Sequence, residues 1–301
     1  MTVVVKIGGA RAVDPEGALA DIAALVGADG GEREDVVVVH GGSTKVDETL
    51  ERMGIEPTYV DTPEGITGRF TDAETMEVFT MAMSLINTDL VAGLRAQNVD
   101  ALGLSGVDGG LLTGKRKSAV RVIEDGKKKI KRGEHSGRID SVNTALLETL
   151  LTEGYTPVTG PPMLGDDGAA SETPRGEGGV TAGTPVNTDA DRAAAAVAGA
   201  LGATLVLLTD VEGVYADPDD PATLISRVET AEEWAELENA AEGFMTKKVM
   251  AAKEALDGGA LEVVVASANA DAPVTSAVDG SGTHIERSAV EDDTEREATE
   301  Q

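Results

Sequence analysis

Two glycine pairs and two lysine-bearing segments are where this chain can do chemistry. "KIGG" sets Lys6 at the end of an apolar run, with Gly8 and Gly9 just beyond it. Paired glycines let backbone N–H groups approach phosphate oxygens without a Cβ in the way. In parallel sheets, ligands collect beyond the carboxyl ends of the strands. Alone, "KIGG" reads equally well as a Gly-Gly turn beside a surface lysine. "VVVVHGGST" repeats the arrangement after a second apolar run, with Gly41, Gly42 and Ser43. One loop can then hold a phosphate and the other a carboxylate or acyl group.

Further along, "NTDAD" spaces Asn187 and Asp191 four residues apart at a helix start. Asp189 reads as the helix cap, leaving Asn187 and Asp191 to bind a substrate amide and to orient lysines. "FMTKK" puts Lys247 and Lys248 in the first turn of a helix, where the dipole disfavours cations. A phosphate facing one of them would explain the placement; a solvated pair is the plainer reading. "GGLLTGKR" (109–116) satisfies G-x-x-x-x-G-K but offers Arg116 where a P-loop needs the Ser or Thr that binds magnesium. No apolar strand leads directly into Gly109, so a strand–loop contact is expected there.

The elements that must position these residues are short apolar runs alternating with amphipathic segments. Thr2–Ile7, Asp35–His40, Asp100–Ser105, Thr156–Gly160, Thr204–Thr209 and Leu261–Ser267 read as buried strands. "PEGALADIAALVGA", "SVNTALLETLLTEG", "DADRAAAAVAGALGA" and "FMTKKVMAAKEALDGG" carry helical spacing and finish at or near Gly. Strand and helix repeated in this way give an α/β protein with a mostly parallel sheet covered on both faces. The Gly-, Pro- and acid-rich segment Leu164–Pro185 reads as a loop or hairpin between two halves, and Glu286–Gln301 as a charged, solvated tail.

Composition narrows the function classes. The 301 residues contain no cysteine, which excludes disulfides, thiolate zinc sites and cysteine nucleophiles. The three histidines, His40, His135 and His284, share no helical spacing, so no metal site is expected. No apolar run is long enough to span a membrane, and the first residues carry no signal-peptide pattern; a cytoplasmic protein is expected. Acidic residues number 54 against 25 basic ones, giving a net charge of −29, spread along the chain and accompanied by only 2% aromatics. That suits a halophile's protein, hydrated in concentrated salt that screens its self-repulsion. Against this field, ten lysines and arginines and three acids fall between Lys115 and Arg138. A nucleic-acid binder would need an extended basic surface with stacking aromatics, so no nucleic-acid role is expected.

Six elements in order, K-x-G-G at Lys6–Gly9, H-G-G at His40–Gly42, "GRFTDAETM" (68–76), N-x-x-x-D at Asn187–Asp191, "LLTDVEGVY" (207–215) and M-x-x-K-x-x-A-A from Met245, resemble the acetylglutamate kinase family of the amino acid kinase superfamily. "GITGRFTDAETM", "SGVDGGLLTGKRK" and the basic stretch followed by "HSGRI" resemble the haloarchaeal-type LysW-aminoadipate/LysW-glutamate kinase branch. There the substrate's amino group is masked by a small acidic carrier protein, LysW, instead of by acetate.

The resemblance implies a three-layer α/β/α sandwich in two lobes, residues 1–183 for the acceptor and the dimer interface, and 184–285 for the nucleotide. It implies that Lys6 and Lys248 stabilise charge on the transferred phosphoryl while Asp191 holds them. Gly41, Gly42, Ser43, Arg69 and Asn187 would bind the acceptor, and Gly8, Gly9, Thr209, Asp210, Gly213 and Tyr215 the nucleotide, ATP with Mg2+. Aligning on Gly243 instead of Met245 selects Lys247 in place of Lys248. Lys127, Lys128, Lys129, Lys131, Arg132 and Arg138 would dock the carrier from a strand–turn–strand hairpin about Asp125-Gly126. Two departures stand out: Ser43 replaces a frequent third glycine, and the 164–185 loop is longer than usual. The chain begins at its first strand, without the N-terminal helix of arginine-inhibited hexamers, so a homodimer is expected. Two other readings are a free acetylglutamate kinase and a catalytically silent nucleotide-sensing or protein-binding module.

Overall fold

The computed structural model describes residues 1–8, 15–27, 33–63, 65, 67–124, 126–166, 183–241 and 243–290. The first half of the chain forms β1 (Thr2–Ile7), α1 (Pro15–Leu25), β2 (Asp35–His40), α2 (Ser43–Arg52), β3 (Tyr59–Asp61), β4 (Thr67–Arg69) and α3 (Ala73–Ala96). It continues with β5 (Ala101–Gly103), β6 (Leu112–Glu124), β7 (Lys127–Val142), α4 (Thr144–Thr152), β8 (Thr156–Thr159) and β9 (Met163–Asp166). The second half forms β10 (Thr184–Val186), α5 (Ala190–Leu201), β11 (Thr204–Thr209), β12 (Arg227–Val228) and α6 (Ala231–Ala240). It ends with α7 (Phe244–Asp257), β13 (Glu262–Ser267), α8 (Pro273–Val278) and β14 (Thr283–Glu286).

The central sheet has eight strands in the order β12-β14-β13-β11-β1-β2-β8-β5. Every neighbouring pair is parallel except β13 with β14. Side-chain alternation sorts its apolar runs onto two faces. Val3, Val5 and Val38 pack against α1, α3 and α8, while Val4, Val39 and Leu205 pack against α4, α5 and α7. The result is the expected three-layer sandwich. Strands of the first half lie together on one side and those of the second half on the other, with β1 beside β11 at the seam. β10 crosses back to join a second sheet, β10-β9-β6-β7.

That second sheet contains the long antiparallel hairpin β6–β7, in which Glu124 pairs with Lys127. Gly109 and Gly110 lie in a single 3-10 turn that leads into strand β6, not into a helix, so the P-loop-like string is not a P-loop. The loop-or-hairpin expectation for 164–185 falls mostly on residues outside those described; its ends form β9 and β10. The tail expectation is similarly divided: Arg287–Ala289 form a 3-10 turn with Ala289 buried, and 291–301 lie outside the described residues.

Candidate active site

Lys6 sits on the central strand β1, with Val39 on one side and Leu207 on the other. Both its neighbours are fully buried, so its backbone is fixed from both sides. Asp191 lies in the first turn of α5, whose cap is Asp189, accepting from the N–H groups of Asp191 (2.9 Å) and Arg192 (3.2 Å). Lys248 lies in α7, which runs alongside α5. Lys6 Nζ is 2.5 Å from Asp191 Oδ1, and Lys248 Nζ is 3.3 Å from Oδ2. One carboxylate thus holds two ammonium groups, and Asp189 adds a weaker pull on Lys248. Burial alone would raise the Asp191 carboxyl, but Lys6 and Lys248 outweigh it and hold its pKa below the ordinary value. Burial and then the neighbouring Lys6 push Lys248 down, against the pull of Asp191.

Lys247 goes elsewhere. Neighbours on a helix point about 100° apart, and its Nζ donates to the carbonyl of Thr67 at the start of β4, 3.1 Å away. The lysine gathered with Lys6 and Asp191 is therefore Lys248, the one selected by the Met245 alignment.

The second glycine pair follows β2. Gly41 N–H donates to Ile7 O (3.1 Å), tying the turn to the end of β1, and Gly42 caps α2 without any side-chain acceptor. α7 likewise starts at Gly243 with no side-chain cap. First-turn N–H groups left without a side-chain partner make a ready anion site, and α2 and α7 reach this edge from opposite halves. A Cβ on Gly42 would run into Ile86 and lie 2.8 Å from Met83 Sδ, so α3 packs directly on this turn.

Arg69 approaches the same turn but is firmly held. Its Nη2 donates to Asp47 Oδ1 (2.8 Å) and to Ser43 O (2.8 Å), and its Nε to Asp47 Oδ1 (3.0 Å). Tyr59 donates its hydroxyl to Asp47 Oδ2 (2.7 Å), and burial first, then that bond, raises the phenol's pKa. Asn187 joins the edge through Nδ2, which donates to Thr71 Oγ1 at 3.0 Å. Its backbone bonds to His135 O and to the Gly137 N–H of β7, which binds the hairpin to the start of α5.

Gly8 follows β1 directly; Gly9 lies outside the described residues. Thr209 ends β11, its hydroxyl donating to Asp210 Oδ1 at 3.1 Å. Gly213 and Tyr215 sit further along this loop, where Val214 N–H donates to Thr283 Oγ1 (2.8 Å) and Tyr215 pairs with Leu224. The loop is thus anchored to β14, one strand in from the edge of the sheet.

On the hairpin, Lys127, Lys128 and Arg132 are exposed, and Lys129 pairs with Glu124 at 3.0 Å. Lys131 Nζ stands 4.1 Å over the Phe70 ring, next to the Thr71 that meets Asn187. Arg138 lies apart from them, opposite Lys115 near the foot of the hairpin. Glu134, buried among these cations, has a raised pKa because burial outweighs its bonds from Ser136 and Thr71 and the fields of Lys117 and Lys131.

Residues 1–267 match the amino acid kinase family. The chain belongs to that family. It is similar to the [LysW]-aminoadipate kinase of Deinococcus radiodurans, 40% identical over 94% of this chain and 91% of the relative. It is also similar to the acetylglutamate kinase of Methanopyrus kandleri, 44% identical over 77% of this chain and 85% of the relative. Among solved structures it resembles N-acetylglutamate synthase from Neisseria gonorrhoeae complexed with coenzyme A and N-acetyl-glutamate, at 25% identity and a TM-score of 0.69. That likeness covers 95% of this chain but only 59% of the synthase chain.

Within this amino acid kinase fold, sequence reading missed Asp47 and Tyr59, the partners that fix Arg69. A signal existed for Asp47: it follows Ser43 by four residues on α2, which places both on one helix face. Nothing local marks Tyr59.

Proposed function

We propose that this chain is an ATP-dependent kinase that phosphorylates the side-chain carboxylate of glutamate or 2-aminoadipate whose amino group is borne by a LysW-type carrier protein. The product is an acyl phosphate in arginine or lysine biosynthesis. The observation that carries this reading is the buried Lys6–Asp191–Lys248 group between two helix starts. Its acceptor is already ionised at neutral pH, so no general base is required. What the chemistry needs is relief of repulsion between carboxylate and nucleotide, and stabilisation of the charge spread over the transferring phosphoryl. The two lysines, with one carboxylate shared between them, supply it from both sides of the seam. Asp191 holds both ammonium groups in place, which limits reorganisation during transfer.

Gly41, Gly42 and Ser43 at the start of α2, with Arg69 and Asn187, are the acceptor side. Gly8 and the loop from Thr209 to Tyr215 are the nucleotide side. Magnesium arrives on ATP, held by phosphate oxygens and water. The carrier reading is supported by the relatives named for LysW substrates and by the basic hairpin, whose Lys131 packs beside the strand leading to Thr71. In this reading the enzyme is a cytoplasmic homodimer adapted to salt.

A free acetylglutamate kinase is the alternative, favoured by the 44% identity to the Methanopyrus enzyme. The two are separated by assaying the protein in high salt with ATP, magnesium and either carrier-linked or acetylated glutamate and aminoadipate. Preferential turnover of a carrier-linked substrate is expected. Equal or better turnover of acetylglutamate would overturn the carrier reading and leave the kinase in place.

A further inference from the structure

Near the middle of α3 stands Asn87, which belongs to no motif in the sequence yet touches three strand ends on the acceptor side. Its Nδ2 lies 2.9 Å from Val158 O of β8, 3.3 Å from Leu104 O just past β5, and 3.1 Å from His40 Nε2 at the end of β2. A nitrogen facing two carbonyl oxygens has to be the donating end of the amide. His40 Nε2 is therefore the acceptor, and the ring carries its proton on Nδ1, 3.4 Å from Gly41 O. Burial pushes the His40 pKa down to about 4, so the imidazole is neutral around pH 7.

Two further contacts show how tightly the helix meets this turn. A Cβ on Gly103 would collide with Asn87 Oδ1, so the strand admits no side chain there. One residue before Asn87, Ile86 presses on Gly42, and Met83 does so one turn earlier.

We infer that Asn87 is a positioning residue for the acceptor loop: its two amide N–H groups, shared among His40 Nε2, Leu104 O and Val158 O, lock the imidazole tautomer and set where Gly42 presents its N–H. The inference rests on the kinase reading above for its link to the acceptor, but not for the lock itself. The ends of β5 and β8 are tied directly, Leu104 N–H to Val158 O (2.8 Å) and Gly106 N–H to Gly160 O (2.9 Å). The Asn87 amide joins the end of β2 to that pair through His40, and with it the glycine turn.

Asn87→Leu keeps the volume and removes the donors that Leu104 O and the imidazole nitrogen receive, while Val158 O keeps the Leu104 N–H. Leu90→Ala, a buried change one turn along the same helix, serves as the control for simple destabilisation. Acceptor KM in Asn87→Leu is expected to rise about tenfold, the size of one unsatisfied buried group. ATP KM is expected to stay within about twofold, as befits a change confined to one substrate's site. Leu90→Ala should lower the melting temperature without changing the ratio of the two constants. Nitrogen-15 spectra of the three histidines should show His40 as the Nδ1–H tautomer in the parent and not in Asn87→Leu. The assignment is wrong if the parent His40 carries its proton on Nε2, or if Asn87→Leu moves the acceptor KM no more than Leu90→Ala does. A parent that phosphorylates no carboxylate would count against the kinase reading instead, and the tautomer would then decide the lock by itself.

Discussion

The lysines of this protein work in two contrasting settings. At the carboxyl edge of the sheet, the Lys6 and Lys248 side chains are 8% and 12% exposed and share one acid. On the hairpin, Lys129 and its partner Glu124 are each 46% exposed, with further lysines on either side of the turn. In the first setting the surroundings screen charge weakly, so in the proposed kinase two fixed cations would have a large effect on a transferring phosphoryl. In the second, water and salt reduce each pair to a minor contribution, and only their number gives the patch a field. Buried cations can do chemistry; exposed cations can choose partners and speed encounters.

Removing the shared acid tests the buried setting most severely. Asp191→Ala removes the carboxylate shared by two buried ammonium groups and is expected to cost about 3–5 kcal/mol of stability, read by chemical denaturation in one fixed salt. The depressed Asp191 pKa adds a sign. Its contribution is present above the ordinary carboxylate range and is lost as pH falls through the folded value. Unchanged stability in Asp191→Ala would mean that the lysines do not depend on this carboxylate.

Next in size are the lysines themselves. Lys6→Met and Lys248→Met should each lower kcat by about 10²–10³-fold, the scale for loss of one fixed electrostatic group. Lys247→Met, which removes only the bond to Thr67 O, should change kcat by less than about threefold. If Lys247→Met proved the more damaging of the two neighbours, the site would have been built around the wrong one.

The alkaline limb of kcat sharpens the same contrast. Lys248 is held below the ordinary lysine value of about 10.4, so kcat should fall as pH rises through that lowered value. The charged form also costs stability at neutral pH, a cost relieved as the pH rises. Lys248→Arg should move the limb upward if it retains activity, whereas an unmoved limb would assign it to another group.

The exposed setting should give the smallest effect and the one most sensitive to salt. Reversing Lys127, Lys128 and Lys129 to Glu should raise the KM for a carrier-linked substrate about tenfold at low ionic strength and leave that for ATP unchanged, fading as salt is added. A salt-independent change, or none, would reduce the hairpin to a solvated surface element.

How much of this was readable beforehand follows from how local each signal is. Strands Thr2–Ile7, Asp35–His40 and Thr204–Thr209 are where the apolar runs put them, because branched residues buried on both faces leave an unbroken pattern. The 24-residue helix α3 escaped notice. Its first half buries Met76, Phe79 and Met83 against α2, and its second half buries Leu90 and Leu94 against the sheet. A buried stripe that changes partner part-way loses its single period. The Lys6, Asp191 and Lys248 positions came from glycine and helix-start context, but only tertiary geometry separates Lys247 from Lys248. Asp47, Tyr59 and Asn87 act on residues 10 or more positions away in the chain, a distance over which sequence pattern says nothing.

The seam between β1 and β11 also bears on how the chain is made. β1 finds β2 within some thirty residues, but its other neighbour begins only at Thr204. At ribosomal speeds of about 5–20 residues per second, the open flank of Thr2–Ile7 waits roughly 10–40 s for that partner. During that interval the nascent chain offers an unpaired valine-rich edge to any other strand nearby. The dense negative charge elsewhere on the chain would keep neighbouring nascent copies apart most effectively where salt is low. Added salt weakens this protection.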